Sequence, residues 1–221
     1  MVVAAHPDDE TLGAGATIAK HIAAGDAVSV LILGQGITSR KEKNQDSSSE
    51  IIALRADSKR ALAKLGVKNV KFFDLPDNMF DSVPLLELVK VIEKAISEEK
   101  PEIVYTHYHG DLNVDHRLTF NAALTGCRPF NCSVKKILSF EVLSSTEWSP
   151  QNSASIFMPI AYVDVSAEFL KKIAALKEYK TEMRQYPHPR SLEVVETLAK
   201  FRGATIGVNA AEAFEIIREI I

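Results

Sequence analysis

The strongest constraint on the fold is an alternation of short β-rich runs with helical stretches. The run "AVSVLILG" (27–34) is apolar at nearly every position, the pattern of a strand buried on both faces of a parallel sheet. "VVAA" (2–5), "NVKFFDL" (69–75) and "PEIVYTHYHG" (101–110) read as further strands. Between them, 13–24, 51–66, 83–98 and 115–125 carry helical spacing, with Gly25 and Gly66 as stops. Repeated strand–helix units of this kind imply a doubly wound α/β sheet. Beyond them, 135–145 and 160–166 read as strands and 167–180 and 191–201 as helices, and 211–221 as a helix or an edge strand. The polar, serine-rich stretch 37–50 reads as a mobile loop.

The length of 221 residues suits a single domain, 1–221, in which the C-terminal part (127–221) completes the pocket. The net charge of -3 gives no sign of a nucleic-acid or membrane-surface partner. No apolar run is long enough for a membrane span, and "MVVAAHPDDE" lacks the basic start of a secretory leader. The first strand is short enough that a residue or two ahead of it is expected. Cys127 and Cys132 form no disulfide framework, so reduced thiols in a cytoplasmic protein are expected.

In open α/β sheets, ligands sit at the carboxyl ends of the strands. His6, Asp8, Asp9 and Glu10 follow the first strand, and His107, His109, Asp111, Asp115 and His116 follow the fourth. Two imidazoles and a carboxylate with a position left for water make a catalytic zinc or non-haem iron site. His6 and Asp9 can be aimed at one point by a tight turn, with His116 arriving from the other loop. Asp8 would then point elsewhere, as a base beside a metal-bound water. His21 lacks such context and reads as a surface histidine. Gly13 and Gly15 lack the third glycine of a dinucleotide loop, and close helix–sheet packing explains them better.

"AHPDDETLGAG" with the downstream "DLNVDHR" resembles the PIG-L/LmbE-like zinc-dependent de-N-acetylases. The resemblance implies a Rossmann-like fold with helices on both faces of a mostly parallel sheet. It also implies hydrolysis of the N-acetyl group of an N-acetylglucosamine-type sugar or conjugate. By position, one zinc ion per chain would be held by His6, Asp9 and His116, and Asp8 would take a proton from the attacking water. Many relatives carry a histidine where this chain has Asn113. His188, in "YPHPRS", is the first choice to replace it, with His107 and His109 as competitors. Asp115 would orient His116 or the substitute histidine. Arg55, Asp77, Asn78, Asn113 and Arg190 are candidate substrate contacts, Arg190 toward a phosphate. Glu141 and Trp148 are candidate pocket wall. The expected partner is a small amino-sugar substrate, with nucleotide- or lipid-linked forms and a homo-oligomer both compatible. The alternatives are a metal-dependent phosphoesterase and a non-catalytic sugar- or nucleotide-binding module.

Overall fold

The structure is a computed structural model and describes residues 1–40, 47–130, 132–150, 152 and 156–221. Seven strands form one sheet: β1 (Val2–Ala4), β2 (Ser29–Gly34), β3 (Asn69–Leu75), β4 (Ile103–His107), β5 (Lys136–Phe140), β6 (Ala161–Asp164) and β7 (Ala211–Glu219). The order is β3-β2-β1-β4-β5-β7-β6. The first five strands run parallel, and β7 is antiparallel to both β5 and β6. Strand order reverses between β1 and β4, and that switch point is where an open α/β sheet leaves a crevice at its carboxyl edge.

The parity of the strands sorts the core into two layers. Val2, Val30 and Ile32 face one layer; Val3, Leu31, Leu33 and Val104 face the other. On the first layer pack α1 (Asp9–Ala23), α2 (Ser48–Leu65), α5 (Phe169–Leu176) and α6 (Leu192–Ile206), through residues such as Ile18, Leu62, Leu176 and Val195. On the second pack α3 (Leu85–Glu99) and α4 (Val114–Gly126), through Leu88, Ile92 and Ala123. The doubly wound expectation therefore holds.

Three local expectations change. The first helix starts at Asp9, so Asp9 and Glu10 of "HPDDE" lie in its first turn and Asp8 is its N-cap, rather than all three lying in a loop before it. The C-terminal run is neither a helix nor an edge. It is β7, with Ala211, Ala213 and Phe214 buried between β5 and β6. Within the expected loop 37–50, Thr38–Arg40 forms a helical turn and α2 begins at Ser48, while 41–46 lie outside the described residues. Gly13 bears out the packing explanation, because a Cβ there would sit 2.2 Å from Cδ2 of Phe140. Among the described residues, no helix is long and apolar enough to cross a membrane.

Candidate active site

Loops after β1, β3 and β4 bring the candidate residues to the switch point. Asp9 is fully buried in the first turn of α1, and its Oδ2 accepts the His6 backbone N–H at 2.8 Å. Three imidazoles approach that same oxygen: His116 Nε2 at 3.2 Å, His6 Nδ1 at 3.3 Å and His107 Nε2 at 3.5 Å. Asp9 Oδ1 is buried without a hydrogen-bond partner. For His6 and His116, a second carboxylate lies close to the far nitrogen, as a hydrogen bond at His6 and at ion-pair distance at His116. His6 Nε2 lies 2.9 Å from Asp115 Oδ2, and His116 Nδ1 lies 3.1 Å from Asp111 Oδ1. Asp115 also accepts the N–H of Asn78 (2.6 Å) and of Phe80 (2.9 Å), so it meets His6 as an acceptor. Asp111 accepts from Asn113 N–H (2.9 Å), Thr146 Oγ1 (2.6 Å) and Ser145 Oγ.

This arrangement fits a bound cation. Asp115 engages His6 Nε2 and Asp111 lies beside His116 Nδ1, which leaves His6 Nδ1 and His116 Nε2 facing Asp9, the usual way a protein orients metal-binding histidines. His6, Asp9 and His116 each offer a ligand atom, all within 4.8 Å of one another. His6, Asp77 and Asp115 meet the same criterion, but there His6 uses the nitrogen already bonded to Asp115. Burial alone would lower the basicity of both histidines. The carboxylates Asp115 and Asp9 override it and lift His6 to about 10, and Asp9 and Asp111 lift His116 to about 9. Asp9, although buried, is held well below the usual carboxylate range by His116, His107 and His6. Paired acids and bases of this kind, in the absence of a cation, mark a site that favours positive charge.

Asp8 is not one of the residues whose ligand atoms converge in this cluster. Its φ is 111°, a region rarely used by residues other than glycine, and such strain persists only where the surroundings hold it. Its carbonyl accepts Thr11 and Leu12 N–H at 3.0 and 2.8 Å, and its own N–H donates to Glu10 Oε2 at 3.1 Å. Its carboxylate meets Arg190 Nη1 at 2.7 Å. Burial drives the Asp8 carboxyl well above its ordinary value; Arg190 opposes this, while Asp9, Glu182 and Glu10 add to it. Glu10 is not among the groups facing the cation cluster. It braces the turn, accepting from Thr11 Oγ1 at 2.8 Å and from Tyr179 OH, and burial lifts it to about 7.

Several expectations are redirected. Asp115 bonds His6, not His116; the carboxylate beside His116 is Asp111. Arg190 grips Asp8 and also reaches Ser144 Oγ (2.7 Å) and Glu182 (3.4 Å), rather than standing open for a phosphate. Arg55 is bound to the Phe73 carbonyl and to Asp74 (2.7 Å) and lies over Phe72, so it does not join the cluster. Asn113 caps α4 by accepting Asp115 N–H at 2.8 Å, and its amide reaches Asn78 Oδ1 at 3.1 Å. Asp77 lies 3.3 Å from His6 Nε2 and accepts Ser39 N–H at 3.0 Å. Glu141 forms a two-pronged pair with Arg202 at 2.9 and 2.8 Å.

The three competing histidines separate clearly. His107 is buried against His116, ring centroids 3.9 Å apart, and its Nε2 accepts Ala5 N–H at 2.8 Å. Burial holds it neutral, so it is a packing partner rather than a proton carrier. His109 is half exposed near Glu215 and Phe120, with no contact to the cluster. His188 lies on the same loop as Arg190, accepting Arg190 N–H at 3.0 Å, with Trp148 6.2 Å from its ring. His21, expected to be a surface histidine, bridges Asp26 (2.7 Å) and Tyr105 OH (2.9 Å).

A profile of the PIG-L family, described as GlcNAc-PI de-N-acetylase, matches residues 1–127, more than half of the chain. The chain belongs to the PIG-L family. Among PIG-L relatives, the chain is 28% identical to YaiS of Escherichia coli, named an uncharacterized deacetylase, over 82% of this chain and 90% of that protein. It is 26% identical to the 1D-myo-inositol 2-acetamido-2-deoxy-alpha-D-glucopyranoside deacetylase of Mycolicibacterium vanbaalenii, over 90% of this chain and 86% of that one. Its fold matches N,N'-diacetylchitobiose deacetylase from Pyrococcus horikoshii with a TM-score of 0.77 and 21% identity, over 98% of this chain and 82% of that chain.

Proposed function

We propose that this PIG-L protein is a zinc-dependent hydrolase that removes the N-acetyl group from an N-acetylglucosamine-type sugar or sugar conjugate, releasing acetate and the free amine. The reading rests on one observation: Asp9 is buried with an unpartnered oxygen and faces His6 and His116, each with a further carboxylate beside its far nitrogen. His6, Asp9 and His116 would hold one zinc ion. When bound, zinc polarises the amide carbonyl and makes water acidic enough to attack near neutral pH.

The chain's own residues supply the rest. Asp8 Oδ accepts the proton of the attacking water and returns it to the departing nitrogen. Arg190 fixes the direction of that carboxylate from a loop of the C-terminal part, consistent with one domain whose residues 127–221 complete the pocket. His188, which accepts the Arg190 N–H, would help protonate the amine in place of the histidine absent at Asn113. Asn113, Asp77 and Asn78, joined to one another by hydrogen bonds and to Asp115 through the Asn78 N–H, would offer polar groups to sugar hydroxyls. The sugar of the Mycolicibacterium relative's named substrate is the model for this substrate class.

A panel of N-acetylated amino sugars, free, lipid-linked and nucleotide-linked, tests the reading through product analysis. Release of acetate is expected. Release of phosphate instead, or binding of sugar without turnover by the zinc-loaded protein, contradicts it.

Arg190 also predicts a pH effect. Its guanidinium lowers the Asp8 carboxyl against burial, so removing it must raise that carboxyl further. A base acts only when ionised. In Arg190→Met, the acid limb of kcat/KM should therefore move to higher pH, by roughly 1 unit or more. An unmoved limb, or one moved to lower pH, would show that Asp8 is not the group being titrated.

A further inference from the structure

Helix α1 is broken, and the break is held from outside. At Ala14 the backbone leaves the helical region (φ −139°, ψ 17°). In an unbroken helix, Ala16 N–H would bond Leu12 O and Thr17 N–H would bond Gly13 O. Here Ala16 and Thr17 donate instead to the two carboxylate oxygens of Glu212 on β7, at 3.0 and 2.7 Å. Leu12 O accepts from Lys172 Nζ on α5, at 2.7 Å. Lys172 and Glu212 pair with each other at 2.6 Å, and each is only 5% exposed.

We propose that this buried Lys172–Glu212 pair is a positioning device for the metal-binding turn. The inference rests on the reading of Asp9 as a metal ligand. The signs fit the break. A carboxylate satisfies the free N–H groups that start the second helical segment, and an ammonium satisfies a free carbonyl that ends the first. Two buried charges carry a desolvation cost that an apolar pair would avoid. What an apolar pair cannot supply is the acceptor for Ala16 and Thr17 and the donor for Leu12, and without these the helix would close across Ala14. Leu12 N–H donates to Asp8 O, so the grip of Lys172 passes directly to the strained residue that precedes Asp9. Closing the helix would rotate the first turn and carry both acids off their present directions.

The glycines on either side of Ala14 belong to the same device. Phe140 lies over Gly13, and a Cβ on Gly15 would lie 3.3 Å from Cγ of Lys172. "GAG" thus admits a ring and a lysine stem at the break. Both charged residues lie outside the segment matched by the family profile, so the turn that carries the motif is set by residues far along the chain.

The test uses the full-length protein with zinc as the probe. Zinc affinity is measured by chelator competition, alongside kcat and KM for acetate release, for Glu212→Gln and Lys172→Met. Ile92→Ala, a cavity under the opposite face of the sheet, serves as a control that lowers Tm alone. Both charge variants are expected to lose about 10–100-fold in zinc affinity and to lose kcat with little change in KM, the size of effect seen when support behind metal ligands is removed. The control is expected to keep its zinc affinity. Charge variants that lose Tm as the control does, but keep zinc affinity and kcat, overturn the inference. If Glu212→Gln does not fold, Glu212→Asp keeps the charge, shortens the reach and is read by the same outcomes. An unaltered protein that binds no zinc overturns the metal reading and this inference with it, whereas normal binding throughout overturns this inference alone.

Discussion

The Asp8→Asn variant is expected to hold zinc as tightly as the parent and to release acetate about 10²–10⁴-fold more slowly, the range attributable to one proton-transferring group. The substitution is well suited to the site. Asparagine matches aspartate in size and tolerates positive φ better than most residues, so the backbone at φ 111° survives. The Asp8 carbonyl keeps its bonds from Thr11 and Leu12. What is lost is the ability to take a proton, together with the charge that Arg190 faces. Zinc content and single-turnover acetate release, measured on the same preparation, separate binding from chemistry. A variant with the parent's rate would remove Asp8 as the base. A variant that loses its zinc would make Asp8 part of the metal site.

The His116→Ala variant should fail earlier, at the metal. His116 is almost fully buried and has Nε2 3.2 Å from Asp9, with Asp111 3.1 Å from its other nitrogen. Asp111 keeps Asn113, Ser145 and Thr146 as partners when the ring is removed, so the fold should persist. Nearby His107 is no ready substitute, because the nitrogen it turns toward Asp9, Nε2 at 3.5 Å, already accepts the Ala5 N–H. Loss of even an outer support costs about 10–100-fold in affinity, so loss of the ligand itself should exceed about 100-fold and abolish turnover. Stoichiometric zinc retained in this variant, measured by metal analysis after dialysis against chelator, would contradict the assignment.

The two post-strand clusters were legible in the sequence because their residues are close neighbours in the chain. His6 to Glu10 occupy one turn, and His107 to His116 span one loop and the start of one helix. Alternating apolar runs marked the parallel strands for the same local reason. What was not legible depends on distant partners. Arg190 finds Asp8, Lys172 finds Glu212, and Tyr179 finds Glu10 only after the sheet has assembled. In "AEAFEII", Glu212 alternates with apolar residues as an exposed strand position would, and nothing local shows that it is buried against α1. Asp111 and Asp115 were both visible as acids beside His116. Which histidine each supports was decided by α4: Asn113 caps it, Asp115 turns inward to His6, and Asp111 stays before the cap to meet His116. β7 was ambiguous for a similar reason, since its strand character comes from two flanking strands far away in sequence.

The most direct test of the central claim is acetate release from a simple N-acetylglucosaminide by the purified chain, measured as isolated, after chelation and after zinc is restored. Acetate and free amine should form in equal amounts, disappear on chelation and return with one zinc per chain. Hydrolysis that survives complete removal of metal, or a zinc-loaded protein that releases no acetate from any N-acetylated amino sugar, would contradict it.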